Sequence, residues 1–184
     1  MPSSYHHGDL RAQVLRGAAT AVADSGPDAL SLRDLARQVG VSHAAPAYHF
    51  GDRRGLFTAL AVEGFGLLGD ALADSVAQGA FDRTAVAYVG FAVAHPGHFA
   101  VMFRPALLDA ADPDLVAAQA QTGALLDAGL DSIRDECLRV PRAQARAAAW
   151  ALVHGVAVLC LSGALPDAQP EELALAAARQ LFGE

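Results

Sequence analysis

The feature that most constrains the fold is the spacing of the proline and glycine breaks, which divide the chain into segments of helical length. Between the breaks, apolar residues recur with the period of an amphipathic helix, and no stretch sustains the alternation of β-branched residues typical of a strand. The main breaks are Gly26-Pro27, Gly79, His95-Pro96, Asp112-Pro113, Val140-Pro141 and Pro166 to Pro170. The sequence therefore predicts an all-α protein.

Helix start signals place the first elements. Asp9 can cap the first helix, Ser31 and Asp34 form a capping box for the second, Ser42 can cap the third, and Asp52 opens a longer helix to about residue 75. Further helices are predicted at 82–94, 96–104, 112–138 (with a possible break), 142–163 and 170–182. These helices form a small three-helix head followed by a larger helical body.

Composition favours a globular protein with uneven charge. The chain has 184 residues, of which 53% are apolar and 18% charged. Residues 1–56 contain six Arg and five acids, for a net charge of +1, whereas 57–184 contain seven Arg and fifteen acids, for −8. The overall charge of −7 therefore does not exclude nucleic acid, because phosphate binding depends on where the positive groups lie.

The chain is expected to be a cytoplasmic protein. Cys137 and Cys160 have no metal-site spacing and are interpreted as reduced, buried thiols, and the N-terminus lacks the apolar core of a signal peptide. The apolar run 147–165 is long enough to suggest a membrane span, but it contains His154, a serine and two glycines. We expect a buried bundle helix there and no membrane contact.

Residues 31–50 have the layout of a helix-turn-helix. Ala36 is followed four residues later by Gly40, so that two helices can cross closely and the glycine can adopt the left-handed turn between them. The apolar seam under both helices is predicted to comprise Leu32, Leu35, Val39 and Val41. In such a motif the second helix lies in the major groove of DNA.

A proline lies within the second helix of this motif. With Ser42 as its N-cap, Pro46 would be the fourth helical residue and would cost one hydrogen bond at the helix start. His43, Ala44, Ala45 and Tyr48 would then project from a two-turn helix. Small side chains allow close approach to base edges, and histidine and tyrosine can donate hydrogen bonds to bases or phosphates.

The stretch "LSLRDLARQVGVSHAAPAYHFGDRRGLFTAL" resembles the DNA-binding domain of the TetR/AcrR family of bacterial transcriptional regulators, over residues 9–64. The segments "AWALVHGVAVL" and "HPGHFAVMF" are similar to the Trp-His-Gly (WHG) type of TetR C-terminal domain. The resemblance implies a DNA-binding domain at 1–56, a connecting helix from about 52 to 75, and an effector-binding and dimerisation domain at 57–184.

Eight residues fall at positions where this family contacts DNA. They are Ser31, Arg33, Ser42, His43, Ala44, Tyr48, His49 and Arg53. Arg53 stands where the family usually has a phosphate-binding lysine, so that Arg33 and Arg53 are expected to bind phosphates. Ala47 is a departure, because the family commonly has a tyrosine there. Three alternatives follow: Tyr48 substitutes for it, Arg33 and Arg53 share the contact, or the affinity for DNA is reduced.

The resemblance also implies a homodimer that pairs through its last two helices and holds an effector cavity. The apolar surface expected at this interface comprises Ala148, Leu152, Gly155, Leu159, Leu173, Ala177 and Leu181. Candidate effector-binding residues are Phe99, Met102, Phe103, Trp150 and His154. Trp150 and His154, four apart on one helix face, are either a core tryptophan with a bonded histidine or a pocket wall with a polar anchor.

The histidines suggest neither catalysis nor a metal site. His95 and His98 lack a nearby cysteine or carboxylate cluster, and no Ser, Cys or Asp is spaced to form a catalytic set with a histidine. We therefore expect no cofactor, no metal and no enzymatic activity. The predicted function is repression: a homodimer binds a pseudo-palindromic operator and is released by a small apolar effector. The alternatives are an effector-independent architectural DNA-binding protein and a helical interaction module that has lost operator binding.

Overall fold

The computed structural model of the chain describes residues 4–79, 81–131, 133–138 and 140–182. Across these residues it contains nine α-helices and no strand, which confirms the predicted all-α class. The helices are α1 Ser4–Ser25, α2 Leu32–Val39, α3 Ala45–Phe50, α4 Arg53–Ala77, α5 Phe81–Ala94, α6 Pro96–Met102, α7 Pro113–Asp131, α8 Arg142–Leu161 and α9 Pro170–Phe182. Short 3₁₀ turns lie at Pro27–Ala29, Pro105–Leu107 and Asp135–Cys137.

The chain divides into two compact units. The first unit comprises residues 1–65 and 95–118, and the second comprises 66–94 and 119–184. The first unit thus combines the three head helices and the start of α4 with α6 and the start of α7. The predicted boundary at residue 56 separates a DNA-binding domain from an effector-binding and dimerisation domain. This functional division stays a prediction.

The first helix starts earlier than its predicted cap. α1 begins at Ser4, so Asp9 lies within the helix and not at its N-cap position. The only proline in this segment, Pro2, precedes the helix and does not stop it. α1 buries Val14, Ala18 and Val22 on one face, as its apolar spacing predicts.

α2 begins and ends where the sequence predicts. The Ser31 hydroxyl accepts a hydrogen bond from the Asp34 N–H at 3.4 Å, and Gly40 takes the left-handed conformation with φ 73°. Ala36 is fully buried. α1 approaches α2 closely at Gly17, where an added Cβ would lie 2.2 Å from a methyl carbon of Val39.

α3 begins later than predicted. Its N-cap is Ala44, which makes no side-chain capping bond, and the predicted cap Ser42 contributes only its carbonyl, which accepts from the Ala45 N–H at 3.0 Å. Pro46 therefore occupies the second helical position and not the fourth. The helix loses no hydrogen bond to the proline, because the first N–H groups of a helix have no intrahelical partner.

The second unit is built around α5, α8 and α9, which pack against one another. Tyr88, Val89 and Ala92 of α5 are fully buried. An ion pair between Arg179 and Asp82, at 3.1 Å, links α9 to α5. α8 contributes one buried stripe, comprising Ala145, Ala149, Val153, Val156 and Ala157.

Within a single chain, the helix expected to be buried at 147–165 is buried on one side only. Only 28% of an apolar 18-residue stretch of α8 is buried, because its buried stripe covers one side only. By length and composition alone, α4 and α8 are each apolar enough to cross a membrane, and a third span results only if α5 and α6 are counted together. The outer side of α8 is therefore an apolar surface that the second unit leaves uncovered.

Candidate nucleic-acid interface and effector site

The exposed side of α3 and the turn before it carry most of the predicted DNA-contacting residues. Ser42, His43 and Ala44 are exposed, and Tyr48 is 77% exposed. The Tyr48 ring stands edge-on to the half-buried His49 ring, with centroids 5.1 Å apart. These side chains form one polar and aromatic surface of a kind that can approach base edges and phosphates.

Two residues of this helix belong to the core. Phe50 is buried, as expected for the last residue of the motif. Ala45 was expected to project outward, and this is wrong, because it is only 6% exposed. In α3, Ala45 faces the interior, whereas Ala47 lies on the exposed side, next to Tyr48.

The second helix carries two exposed arginines, and only Arg33 is without an ion-pair partner among the described residues. The Arg33 side chain is exposed in the first turn of α2, and it forms no hydrogen bond or ion pair with the part of the chain that the structure describes. Arg37, by contrast, is paired with Asp34 at 2.8 Å. Ser31 is half-buried and its hydroxyl oxygen accepts the α2 capping bond, which leaves its O–H available to donate to a phosphate.

Arg53 is engaged within the protein. Its Nη2 donates to the Pro27 carbonyl, its guanidinium carbon lies 5.1 Å from the centroid of the Phe57 ring, and its Nε is buried without a partner among the described residues. Nothing in the sequence indicates the contact with Pro27, since the two residues are 26 positions apart. The neighbouring Arg54 is exposed.

The first three candidate effector residues lie in the first unit. Phe99 and Met102 are buried, and Phe103 packs edge-on against Phe99 and Phe65, with ring centroids 5.4 Å and 5.7 Å apart. They form an aromatic cluster at the end of α6. Two surface grooves of about 310 and 350 Å³ in this unit are lined by other residues, from α1, α3, α4 and the start of α7.

α6 is anchored in the first unit by a histidine and a glycine. The buried His98 Nε2 lies 2.9 Å from a carboxylate oxygen of Glu63 on α4. At Gly97 an added Cβ would lie 2.0 Å from the Ala19 carbonyl oxygen of α1. Burial, together with the neighbouring His98, lowers the pKa of His95. Within the described chain, no three His, Cys, Asp or Glu side chains are grouped so as to hold a metal ion.

The other two candidate effector residues lie in the second unit, in a polar cluster centred on Tyr88. The Tyr88 hydroxyl lies 3.0 Å from His154 Nδ1, and the Trp150 ring centroid lies 5.6 Å from that of His154. Burial raises the pKa of Tyr88, opposed by a hydrogen bond to the Trp150 side chain, and burial lowers the pKa of His154. The cluster therefore favours a neutral imidazole.

The interpretation of Trp150 as a core residue is wrong, because it is 46% exposed. It lies along the side of α8, so that its indole N–H reaches Tyr88 while much of its ring faces outward. Sequence reasoning overlooked Tyr88 itself. A lone tyrosine in the apolar stretch Ala85–Val89 was the signal, because a buried hydroxyl needs a partner.

The predicted dimer residues are distributed over the outer side of α8 and the partly buried side of α9. Ala148 and Leu159 are exposed, whereas Leu152, Gly155, Leu173 and Ala177 are half-buried. The side chain of Leu181 lies outside the described residues. Sequence reasoning overlooked Val158 and Leu161, which are also exposed on α8.

Two family models match the chain. Residues 81–181 match the tetracyclin repressor-like C-terminal domain, and residues 14–60 match the bacterial regulatory proteins of the tetR family. The first match spans more than half of the chain. The chain belongs to the TetR family. This confirms the predicted family, with its helix-turn-helix head and helical C-terminal domain, and identifies the protein as having the fold of a TetR-family transcriptional regulator.

Solved structures share this fold along the whole chain. A protein of unknown function from Rhodococcus sp. RHA1 is 35% identical, with a TM-score of 0.78 over 98% of this chain and 97% of that one. The TetR-family regulator PfmR from Thermus thermophilus is 22% identical, with a TM-score of 0.73 over 92% and 96% of the two chains. AibR, solved in complex with isovaleryl coenzyme A and operator DNA, is 15% identical, with a TM-score of 0.72 over 94% and 98%. A comparison with curated proteins finds none that matches significantly.

Proposed function

We propose that this TetR-family protein is a homodimeric repressor that binds a pseudo-palindromic operator in the cytoplasm and is released by a small apolar effector. The observation that carries the proposal is the exposed surface of α3, with Tyr48 and His43 beside small side chains, inside the segment that matches the tetR regulatory family. It supports a binding function and not an enzymatic one.

We assign the DNA contacts by position and exposure. His43, Ala44 and Tyr48 would approach base edges, and Ser42 and His49 would contact bases or the backbone beside them. Ser31 and Arg33, at the start of α2, would contact phosphate. Arg33 is the stronger candidate for this contact, because its side chain is exposed and charged. Ala47 offers only a methyl group, so Tyr48 would supply the aromatic hydroxyl on this surface.

The homodimer would pair α8 and α9 with their symmetry mates. The support is the exposed apolar surface of α8, which is unusual for a soluble protein unless a partner covers it. A symmetric dimer would also present two copies of α3 to the two half-sites of a palindrome.

The effector would bind in the C-terminal domain. AibR carries isovaleryl coenzyme A in its complex with operator DNA, so a neighbour of the same fold holds an organic ligand and DNA together. In this chain, Trp150 and His154 of the second unit offer an aromatic wall with a polar anchor. Phe99, Met102 and Phe103 belong to the first unit and offer a separate cluster of apolar side chains. Release would follow if the effector binds more tightly to a conformation that does not fit the operator.

A gel shift with the DNA upstream of the protein's own gene tests the proposal. The protein should retard this fragment in the presence of excess unrelated DNA, and an apolar effector should reverse the shift. Binding that no candidate ligand reverses favours the architectural alternative. Equal affinity for all DNA at every salt concentration, or no binding, would refute the operator assignment.

A further inference from the structure

The guanidinium of Arg53 joins two parts of the first unit that are distant in sequence. It projects from the first turn of α4, donates to the Pro27 carbonyl, and lies over the Phe57 ring. Pro27 begins the 3₁₀ turn between α1 and α2 and is itself buried. Arg53 therefore fixes the start of α4 to the turn from which α2 follows.

The same turn of α4 also holds the end of α3. Gly55 lies so close to α3 that an added Cβ would be 2.0 Å from the Phe50 carbonyl oxygen, and the Gly55 N–H donates to the Asp52 carboxylate at 2.9 Å. A shift of this turn would therefore carry the end of α3 with it. Arg53 thus links the position of α3 to that of the turn before α2.

A phosphate contact by Arg53 would require its side chain to leave these partners. The Pro27 carbonyl would lose its donor, and the Phe57 ring would lose the cation above it. The Nε is already buried among protein atoms, so the guanidinium is directed into the protein. Arg33 and Arg54 remain exposed and can supply positive charge without such a loss.

We propose that Arg53 is a positioning residue, which sets the placement of α3 and does not itself contact DNA phosphate. The inference rests on the proposed DNA-binding function. It has a specific consequence for lysine, which keeps the charge but is a flexible point cation without the planar fork that can donate and stack at once. A phosphate contact would survive the change to lysine, whereas a positioning role would not.

The test compares Arg53→Lys and Arg53→Gln with the wild type, and uses Arg83→Gln as the charge control. Arg83 is exposed on α5 in the second unit, where it bonds Gln78. Binding to the operator and to unrelated DNA is measured over a salt series, well below the melting temperature. Without DNA, hydrogen exchange is followed in the 27–31 and 45–51 segments.

We expect both Arg53 variants to bind the operator more weakly, on the order of tenfold, because neither lysine nor glutamine can both donate to the Pro27 carbonyl and stack as a planar cation on the Phe57 ring. Their affinity for unrelated DNA and their salt slope should equal those of the wild type. Exchange in both segments should be faster in the two variants, and unchanged in Arg83→Gln.

Three results would overturn the inference. A salt slope lowered by about two units per dimer in Arg53→Gln, restored by Arg53→Lys, would show a phosphate contact. A lower melting temperature with unchanged operator affinity would show a merely structural role. Unchanged hydrogen exchange in both Arg53 variants would refute the positioning role, whether or not the wild type binds an operator. Failure of this inference can therefore be told apart from failure of the proposed function.

Discussion

At the scale of single residues, α3 shows how two helix-start signals compete. Ser42 and Pro46 both mark a helix start, and the sequence favours the serine as the cap. In the structure the helix instead places the proline in its first turn, where its fixed φ fits and its missing N–H has no partner to lose. The identity of the motif could be predicted from the sequence, but the orientation that buries Ala45 and exposes Ala47 could not.

Because Tyr48 and His43 are exposed, substitutions at these two residues should change DNA binding without changing the stability of the fold. Tyr48→Phe and His43→Ala should each weaken operator binding by about 1–3 kcal/mol if the lost group contacts a base. The melting temperature should hardly change, because neither side chain is buried. Calorimetry beside an operator titration checks both, with Phe50→Leu as a core control that lowers the melting temperature. A loss of several degrees in Tyr48→Phe with intact affinity would contradict the assignment.

At the scale of helices, the positions of the elements could be predicted, and their close contacts could not. The predicted spans of α4, α5 and α9 agree with the structure to within about two residues, because their ends carry strong proline, glycine or aspartate signals. The packing of α6 on α1 depends on Gly97 meeting the carbonyl of Ala19, a contact between residues far apart in sequence. No local pattern encodes it.

Glycine substitutions test the α6 contact. Gly97→Ala should destabilise the protein by about 2 kcal/mol or more, because the new Cβ would overlap a backbone carbonyl that cannot move alone. Gly123→Ala is the matched control, since nothing lies within 4 Å of a Cβ added in that part of α7. It should be neutral or more stable by up to about 1 kcal/mol, from helix propensity. Denaturant unfolding measures both, and equal stability of the two variants would contradict the packing.

The contact between Tyr88 of α5 and His154 of α8 predicts that the stability of the fold depends on pH. Burial lowers the pKa of His154 in the folded protein, so the unfolded chain binds more protons between that pKa and the ordinary value of 6.5. The stability contributed by the neutral imidazole is therefore complete above about pH 6.5 and is lost as the pH falls below it.

The melting temperature should thus fall from about pH 7.5 to about pH 5, and less steeply in His154→Gln. His43→Gln, an exposed change in the first unit, should leave the profile as in the wild type. His95, whose pKa is also lowered by burial, accounts for part of the fall that remains in His154→Gln. Parallel profiles for the wild type and His154→Gln would refute the role of His154.

At the scale of the whole molecule, the outer side of α8 indicates the partner that the chain needs. The alanine-rich sequence of this helix carries too little contrast between its sides to show which of them is buried. The sequence therefore predicted a buried helix, and only the packing of α5 and α9 identifies the side left open. That side carries Trp150, Val158, Leu159 and Leu161, and a second copy of the chain is the partner that symmetry favours.

A charge on this surface should therefore dissociate the proposed dimer. Val158 is 44% exposed, so Val158→Glu should fold normally as a monomer, but a carboxylate facing its symmetry mate would lose its hydration at the interface. Val116→Glu is the control, since Val116 is 51% exposed on α7, outside the proposed interface. Sedimentation at micromolar concentration should show dimers for the wild type and Val116→Glu, and monomers for Val158→Glu.

Because one α3 alone reads only a half-site, the monomer should also lose operator affinity while its melting curve stays cooperative. A wild type that sediments as a monomer would refute the dimer, and a dimeric Val158→Glu would place the interface elsewhere.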